Sequence, residues 1–407
     1  MANPEISINT HRSARFPISF SQSFVLYLFL YSALQTISVL VSNELFKTTI
    51  STIPVIIVFG LLLQLKMNQI SIYVSKLEVI ILVLLALSVI GHLIYAPFVS
   101  YIDLLKFLLI FVVYVIGKNA GAVDERFYQN KVASLFIFGF IPLFSFMVFY
   151  LAENNTSTVL FFSNKNNAVA FCLTCAISAK VMFPKLNSTL IYFYCVIFVL
   201  GFNTLGALLA FVIALFIVNV KFSWRNILFL ILVAAILALI ALFGEIPTLN
   251  RLYNVYQGAE SFFSTHSLRD VADVSYGDYT VLQGGNQDVS FFFRLKQWLE
   301  IFFIMVDGEG WKVIFGYGME ASETLTTIGL VPHNDWLRIL FELGLLSFTC
   351  FLLLNLALFK KIYSIDKCLA TLYLTLLIYM FSENLINNFL ITSFLYFSLT
   401  FICYKNQ

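Results

Sequence analysis

Charge is scarce in this sequence. Asp, Glu, Lys and Arg make up 11% of its residues, against 60% for apolar side chains. A soluble domain carries about 25% charged and about 45–50% apolar residues. So few charges cannot cover a water-facing surface, which excludes an ordinary soluble globular chain and points to the bilayer as solvent. A formal net charge of +2 leaves no electrostatic footprint for nucleic acid. Histidine is scarcer still. Four residues lie scattered along 407 positions, so no metal-ligating constellation forms and no metal or cofactor is expected. The six cysteines fall in or at the end of apolar runs, which excludes a disulfide framework. Cys172 and Cys175 form a CxxC inside such a run and read as helix filler, not redox chemistry. Phosphate-binding GxxxxGK[ST], a Gly-rich dinucleotide fingerprint and HExxH are all missing, so ATP-driven transport and zinc proteolysis find no support.

What is present is a series of apolar runs. Twelve reach or approach spanning length, at 22–41, 50–65, 77–96, 100–117, 132–152, 166–183, 188–202, 205–220, 226–243, 337–359, 368–381 and 388–404. The expected fold is therefore all-α: a polytopic integral membrane bundle of about twelve transmembrane helices. GFNTLG at 201–206 breaks one long run into a tight hairpin. Arg12 and Arg15 precede the first run, which is long and lacks a small-residue cleavage site, so it reads as a retained span.

Basic residues set the orientation. With the N-terminus inside, 15 of the 24 Lys and Arg fall in inner segments, while the short outer loops hold only Lys47 and Lys165. Three regions follow: 1–243 with nine spans, a large outer loop at 244–336, and 337–407 with three spans and an inner C-terminus. The loop holds 12 of the 22 acidic residues and two of the four histidines. A polar excursion of this length is usually functional. Within it, VSFFFRLKQWLEIFFIMV (289–306) carries Arg294, Lys296, Gln297 and Glu300 at helical spacings. This predicts an amphipathic helix at the outer face or mouth of the bundle. A thirteenth span is the weaker alternative, because its charges would be costly in lipid.

The loop returns to the membrane through VPHNDWLRILFELGLL (331–346). His333 is suited to take a proton from a hydroxyl, with Asn334 and Asp335 as neighbours able to orient its ring. The competing reading is a helix start capped by Asn334 or Asp335, and both can hold together. IFGYGMEAS (314–322) places two glycines two apart, for a tight turn or a close backbone approach to substrate. Arg251, Arg269, Arg294 and Arg338 lie outside or at the outer lip, where a guanidinium fork matches phosphate oxygens. The plainer reading pairs each with a carboxylate, and it prevails for Arg269 beside Asp270. Arg294, in an apolar helix with few partners, is the stronger phosphate candidate. Lys106 pairs with Asp103 one turn earlier. His92 reads as packed or interfacial. Glu342, within an apolar run, and Glu383, between the last two, are in-membrane ionisable residues and functional candidates by position.

These features together resemble the O-antigen polymerase and ligase family of Gram-negative inner membranes. The resemblance rests on the N-in arrangement with one outer loop after span nine, SFFFRLKQWLE, IFGYGMEAS and HNDWLRILFELGLLSF, supported by FFSNKNNAVA at 161–170. It implies a GT-C-like, metal-independent membrane glycosyltransferase acting on undecaprenyl-pyrophosphate-linked glycans at the periplasmic face. A partner protein that sets chain length is implied as well. In this sequence His333 matches the family's loop histidine and Arg294 the arginine that engages the lipid pyrophosphate. Arg251, Arg338, Asn334, Asp335 and Lys165 stand as further substrate contacts. A second family arginine, in a Ser–Arg–Gly–Ala context, corresponds here to Leu205 within Thr204–Ala207, so Lys165, Arg251 or Arg338 would have to replace it. That departure favours polymerase over ligase. A flippase or other transporter is the rival from another class, and would be expected to place broken helices and paired charges at mid-membrane.

Overall fold

The computed structural model describes residues 74–96, 100–123, 141–151, 164–219, 267–273 and 290–404, with a few isolated positions besides. These residues are helical and include no strand. The expected runs at 22–41 and 226–243 lie outside the described residues, as do most of 50–65 and the first part of 132–152.

The elements follow the apolar runs closely. Helices α1 (Lys76–Tyr95), α2 (Tyr101–Val123), α3 (Ile141–Leu151), α4 (Lys165–Met182), α5 (Ser188–Gly201) and α6 (Leu205–Asn219) come first. The loop contributes α7 (Leu268–Asp273), the long α8 (Ser290–Asp307), and short α9 (Gly310–Phe315) and α10 (Ala321–Thr324). Then α11 (Asp335–Arg338) passes through one π turn, Ile339–Leu343, into α12 (Gly344–Ile365), followed by α13 (Lys367–Tyr379) and α14 (Phe389–Tyr404). Two stretches, Lys76–Tyr95 and Asp335–Ile365, are long and apolar enough to cross a membrane. Helices α5, α6, α13 and α14 are apolar but fall short of the ~20 residues a span requires. Polar residues cut them: Asn187 caps α5, Asn203 turns the chain before α6 with φ of 51°, and Asp366 caps α13.

Helix α14 is buried on nearly every face, packed against α2 and α4, while α13 lies against α6 and α4. A helix that is apolar all round belongs in the middle of a bundle. By contrast α1 leaves Leu77, Ile80, Val83, Leu87, Ile90 and Ile94 exposed. At one end of the bundle, Ser75 and Glu78 form a reciprocal cap on α1. Glu78 also receives Lys118 at 2.5 Å and the Tyr114 hydroxyl at 3.1 Å. Lys361 lies over the Tyr404 ring at 3.2 Å. All six cysteines are buried and free, Cys172 and Cys175 among them.

The amphipathic helix forms as expected, and its polar stripe turns toward protein. Lys296 reaches the Ala272 carbonyl and pairs with Glu300 at 2.5 Å. Gln297 donates to the Leu330 carbonyl, and Glu300 accepts the Thr327 amide at 2.9 Å. Phe302 and Val306 stay exposed on the other face. The stripe thus holds the loop segments around 272 and 327–330 against α8.

Candidate functional site

The site is assembled from three turns and one face of α8. Asn334 caps α11, its side chain accepting the Leu337 amide at 3.0 Å. Asp335 is buried and grips the turn between α13 and α14. Its amide donates to Met380 O at 2.8 Å, and its carboxylate accepts the amides of Leu385 at 2.6 Å and Ile386 at 3.0 Å. The Trp336 indole adds a bond to Leu377 O at 2.9 Å. These bonds fix the 380–388 turn beside His333, and Glu383 sits on that turn.

Glu383 is the hub. Its Oε1 accepts Asn166 Nδ2 at 2.7 Å and Arg294 Nη2 at 3.1 Å, and its Oε2 lies 3.3 Å from His333 Nδ1. The Glu383 side chain is 6% exposed, whereas Arg294 and His333 are 26% and 33% exposed. One buried carboxylate therefore joins two cationic or proton-carrying groups that keep an open side. Asn166 is delivered by the N-terminus of α4, whose cap is Asn164. Next to it, Lys165 reaches the Asn203 carbonyl at 3.3 Å in the 201–206 turn. That turn lies against the 380–388 turn so closely that a Cβ on Gly206 would stand 2.7 Å from Ser382 Oγ.

His333 and Arg294, the residues matched to the family's histidine and arginine, are brought together through Glu383. Lys165 stands at the rim through Asn203. The expectation that Asn334 and Asp335 orient the imidazole needs correction: the ring's partner is Glu383, and these two residues build the scaffold beneath it. Arg338 also departs from the substrate-contact reading. It is buried, with Nε donating to Glu342 at 2.9 Å and Nη2 lying 3.7 Å from Asp103. Arg251 lies outside the described residues. Arg269 pairs with Asp307 at 3.7 Å. Lys106 and Asp103 pair at 2.8 Å as the spacing predicts, and His92 is packed, with Nδ1 3.3 Å from Phe315 O.

The glycine pair and the Glu–x–Gly–Leu–Leu stretch turn out to be one device. After the π turn the chain leaves helical geometry at Gly344, with φ of 79° and ψ of 173°, and the carbonyls of Phe341 and Glu342 are taken up by the glycine turn. Tyr317 N and Gly318 N donate to them at 2.9 and 3.1 Å. This requires backbone against backbone: at Gly316, with φ of 94°, a Cβ would stand 2.2 Å from Glu342 O. The close approach expected of these glycines is made to the protein's own chain. Glu342 is held as well by Arg338 and the Ser322 hydroxyl.

In the sequence Glu383 stood out only as an in-membrane ionisable residue between the last two apolar runs. The sharper signal was its isolation, since it is the sole charge between Lys367 and Lys405. The four-residue spacing of Arg338 and Glu342 was likewise a readable sign of an internal pair. Comparison with protein-family models and with curated proteins finds no match for this chain. The functional reading rests on the residues and their geometry.

Proposed function

We propose that this protein is a multi-pass inner-membrane glycosyltransferase of the O-antigen polymerase type. It would join undecaprenyl-pyrophosphate-linked repeat units at the periplasmic face. The scarcity of charge, the twelve apolar runs, the inner bias of Lys and Arg, and the exposed apolar face of α1 support the membrane assignment. The observation that carries the enzymatic reading is the shared carboxylate: Glu383 lies between His333 and Arg294.

With Nδ1–H donating to Glu383, the imidazole presents Nε2 as an acceptor on its open side. The Nε2 lone pair takes the proton of the acceptor sugar hydroxyl. That oxygen forms a bond to the anomeric carbon of the donor glycan as the bond from that carbon to pyrophosphate oxygen breaks. Both bonding electrons leave with the lipid pyrophosphate. Arg294 faces the developing phosphate charge, which a guanidinium fork stabilises. The sugar–pyrophosphate bond supplies the energy.

The test is genetic. His333→Ala should leave the protein inserted and abolish long-chain glycan while single-repeat glycan persists; normal chain lengths would remove His333 from the mechanism. Deleting the gene should leave one repeat on the lipid A core. Bare core with lipid-linked polymer accumulating would make the protein a ligase. Repeat units stranded inside would make it a flippase.

A further inference from the structure

At the end of α12 and α14 away from the Glu383 hub, a cavity of about 70 Å³ opens between α1, α2, α12 and α14. Its polar lining is Ser75, Glu78, Tyr114, Lys361 and Tyr404. Two ammonium groups converge on one ring there: Lys361 Nζ stands 3.2 Å and Lys118 Nζ 4.9 Å from the centroid of Tyr404. The Tyr404 hydroxyl lies 3.2 Å from that of Tyr114.

Glu78, the only carboxylate among the described lining residues, is already committed. Its Oε2 accepts Lys118 at 2.5 Å and the Ser75 amide at 2.6 Å, and its Oε1 accepts the Tyr114 hydroxyl at 3.1 Å. Lys118 therefore neutralises it within the wall. The Ser75 hydroxyl accepts the Glu78 amide at 3.4 Å and keeps its own proton to donate. What the cavity offers a ligand is thus the Lys361 ammonium and a hydroxyl donor, a pair that suits phosphate oxygens. The rest of the wall is apolar, with Ile81, Leu354 and Leu358. Leu77 lines the cavity too, is 46% exposed, and begins the exposed apolar row of α1. An anionic head joined to hydrocarbon chains matches both parts, whereas a free phosphate matches only the first.

We propose that this cavity binds the phosphate headgroup of an anionic phospholipid, with Lys361 and Ser75 on the phosphate and the acyl chains along Leu77 and the exposed row of α1. Basic pockets between membrane helices suit such headgroups in general. The site lies apart from the Glu383 hub and does not depend on the polymerase reading.

The experiment titrates the delipidated full chain in detergent with dioctanoyl phosphatidylglycerol and, separately, with inorganic phosphate, and takes Kd from the rise in melting temperature. The lipid should bind, and inorganic phosphate should bind at least about tenfold more weakly, because it buries no apolar surface. Lys361→Met, whose side chain can still lie on the Tyr404 ring, should weaken the lipid about tenfold, the scale of one charge-assisted hydrogen bond. If that variant does not fold, Lys361→Gln carries the same expectation. Lys360→Met, at an exposed position one residue away, should leave Kd unchanged. Ala357→Phe, which fills the cavity without touching a charge, should abolish binding. Failure of the parent chain to bind the lipid overturns the proposal, as does an unchanged Kd in Lys361→Met or in Ala357→Phe. An equal weakening by Lys360→Met would mean diffuse surface charge and no built site. Inorganic phosphate binding as tightly as the lipid would overturn the choice of a phospholipid.

Discussion

Two arginines stand near the same end of the bundle, and their surroundings are opposite. Arg338 is enclosed, bonded to Glu342 and facing Asp103, in a knot that also ties in Ser322 and the Gly316–Gly318 turn. Arg294 is partly open, and its carboxylate is divided between it, Asn166 and His333. The first group of charges is internally compensated and holds the loop to α12. The second keeps its arginine and histidine partly exposed. Removing a partner from a closed pair leaves a buried charge behind, whereas removing Arg294 leaves a carboxylate that still has Asn166 and His333.

The sharpest way to break this contrast is to delete both guanidiniums in turn. Arg338→Ala should cost about 3–5 kcal/mol, enough to deplete the folded protein. Arg294→Ala should change stability by about 1 kcal/mol or less, yet eliminate polymer. Thermal unfolding of both variants in one detergent checks this, and equal losses of melting temperature would erase the distinction.

Gly316→Ala probes the scaffold alone. A methyl group at φ of 94°, against the Glu342 carbonyl, should cost about 1–3 kcal/mol. The loss should appear in melting temperature, with chain length normal in whatever protein remains folded. A melting temperature equal to the parent's would mean that the turn does not need its glycine.

The smallest effect concerns Glu323, on the acidic rim of the Arg338 group. Burial pushes its carboxyl up; Arg338 pulls it back, and Glu342, Glu320 and Asp103 push it further up. A carboxyl raised on folding stabilises least when ionised, so its penalty is absent below the ordinary carboxylate range and grows as pH rises through the raised value. Glu323→Gln should therefore stabilise by about 0.5 kcal/mol at neutral pH, with the charge half-screened by solvent. The gain should vanish in acid. A neutral-pH loss of melting temperature would show that the ionised carboxylate is a useful partner of Arg338.

Much of the fold was legible because hydrophobic periodicity and capping are local. The boundaries of α1, α4, α5, α6 and α14 lie within a few residues of their apolar runs. The stripe of Arg294, Lys296, Gln297 and Glu300 marked α8, and the Asn334 cap followed from residue type. Less legible was which polar groups face one another. Asn166, Arg294, His333 and Glu383 come from four separate stretches, and no spacing rule relates them.

By itself, the sequence determined the solvent this protein suits, its helical class and the place where its polar residues gather, since each depends on composition and short-range pattern. Tertiary structure alone decided that Glu383 joins His333 to Arg294 and that Arg338 is closed off. The physical reason is that a buried charge takes its character from whichever partners packing places within about 3–4 Å of it, and those partners are distant in the chain.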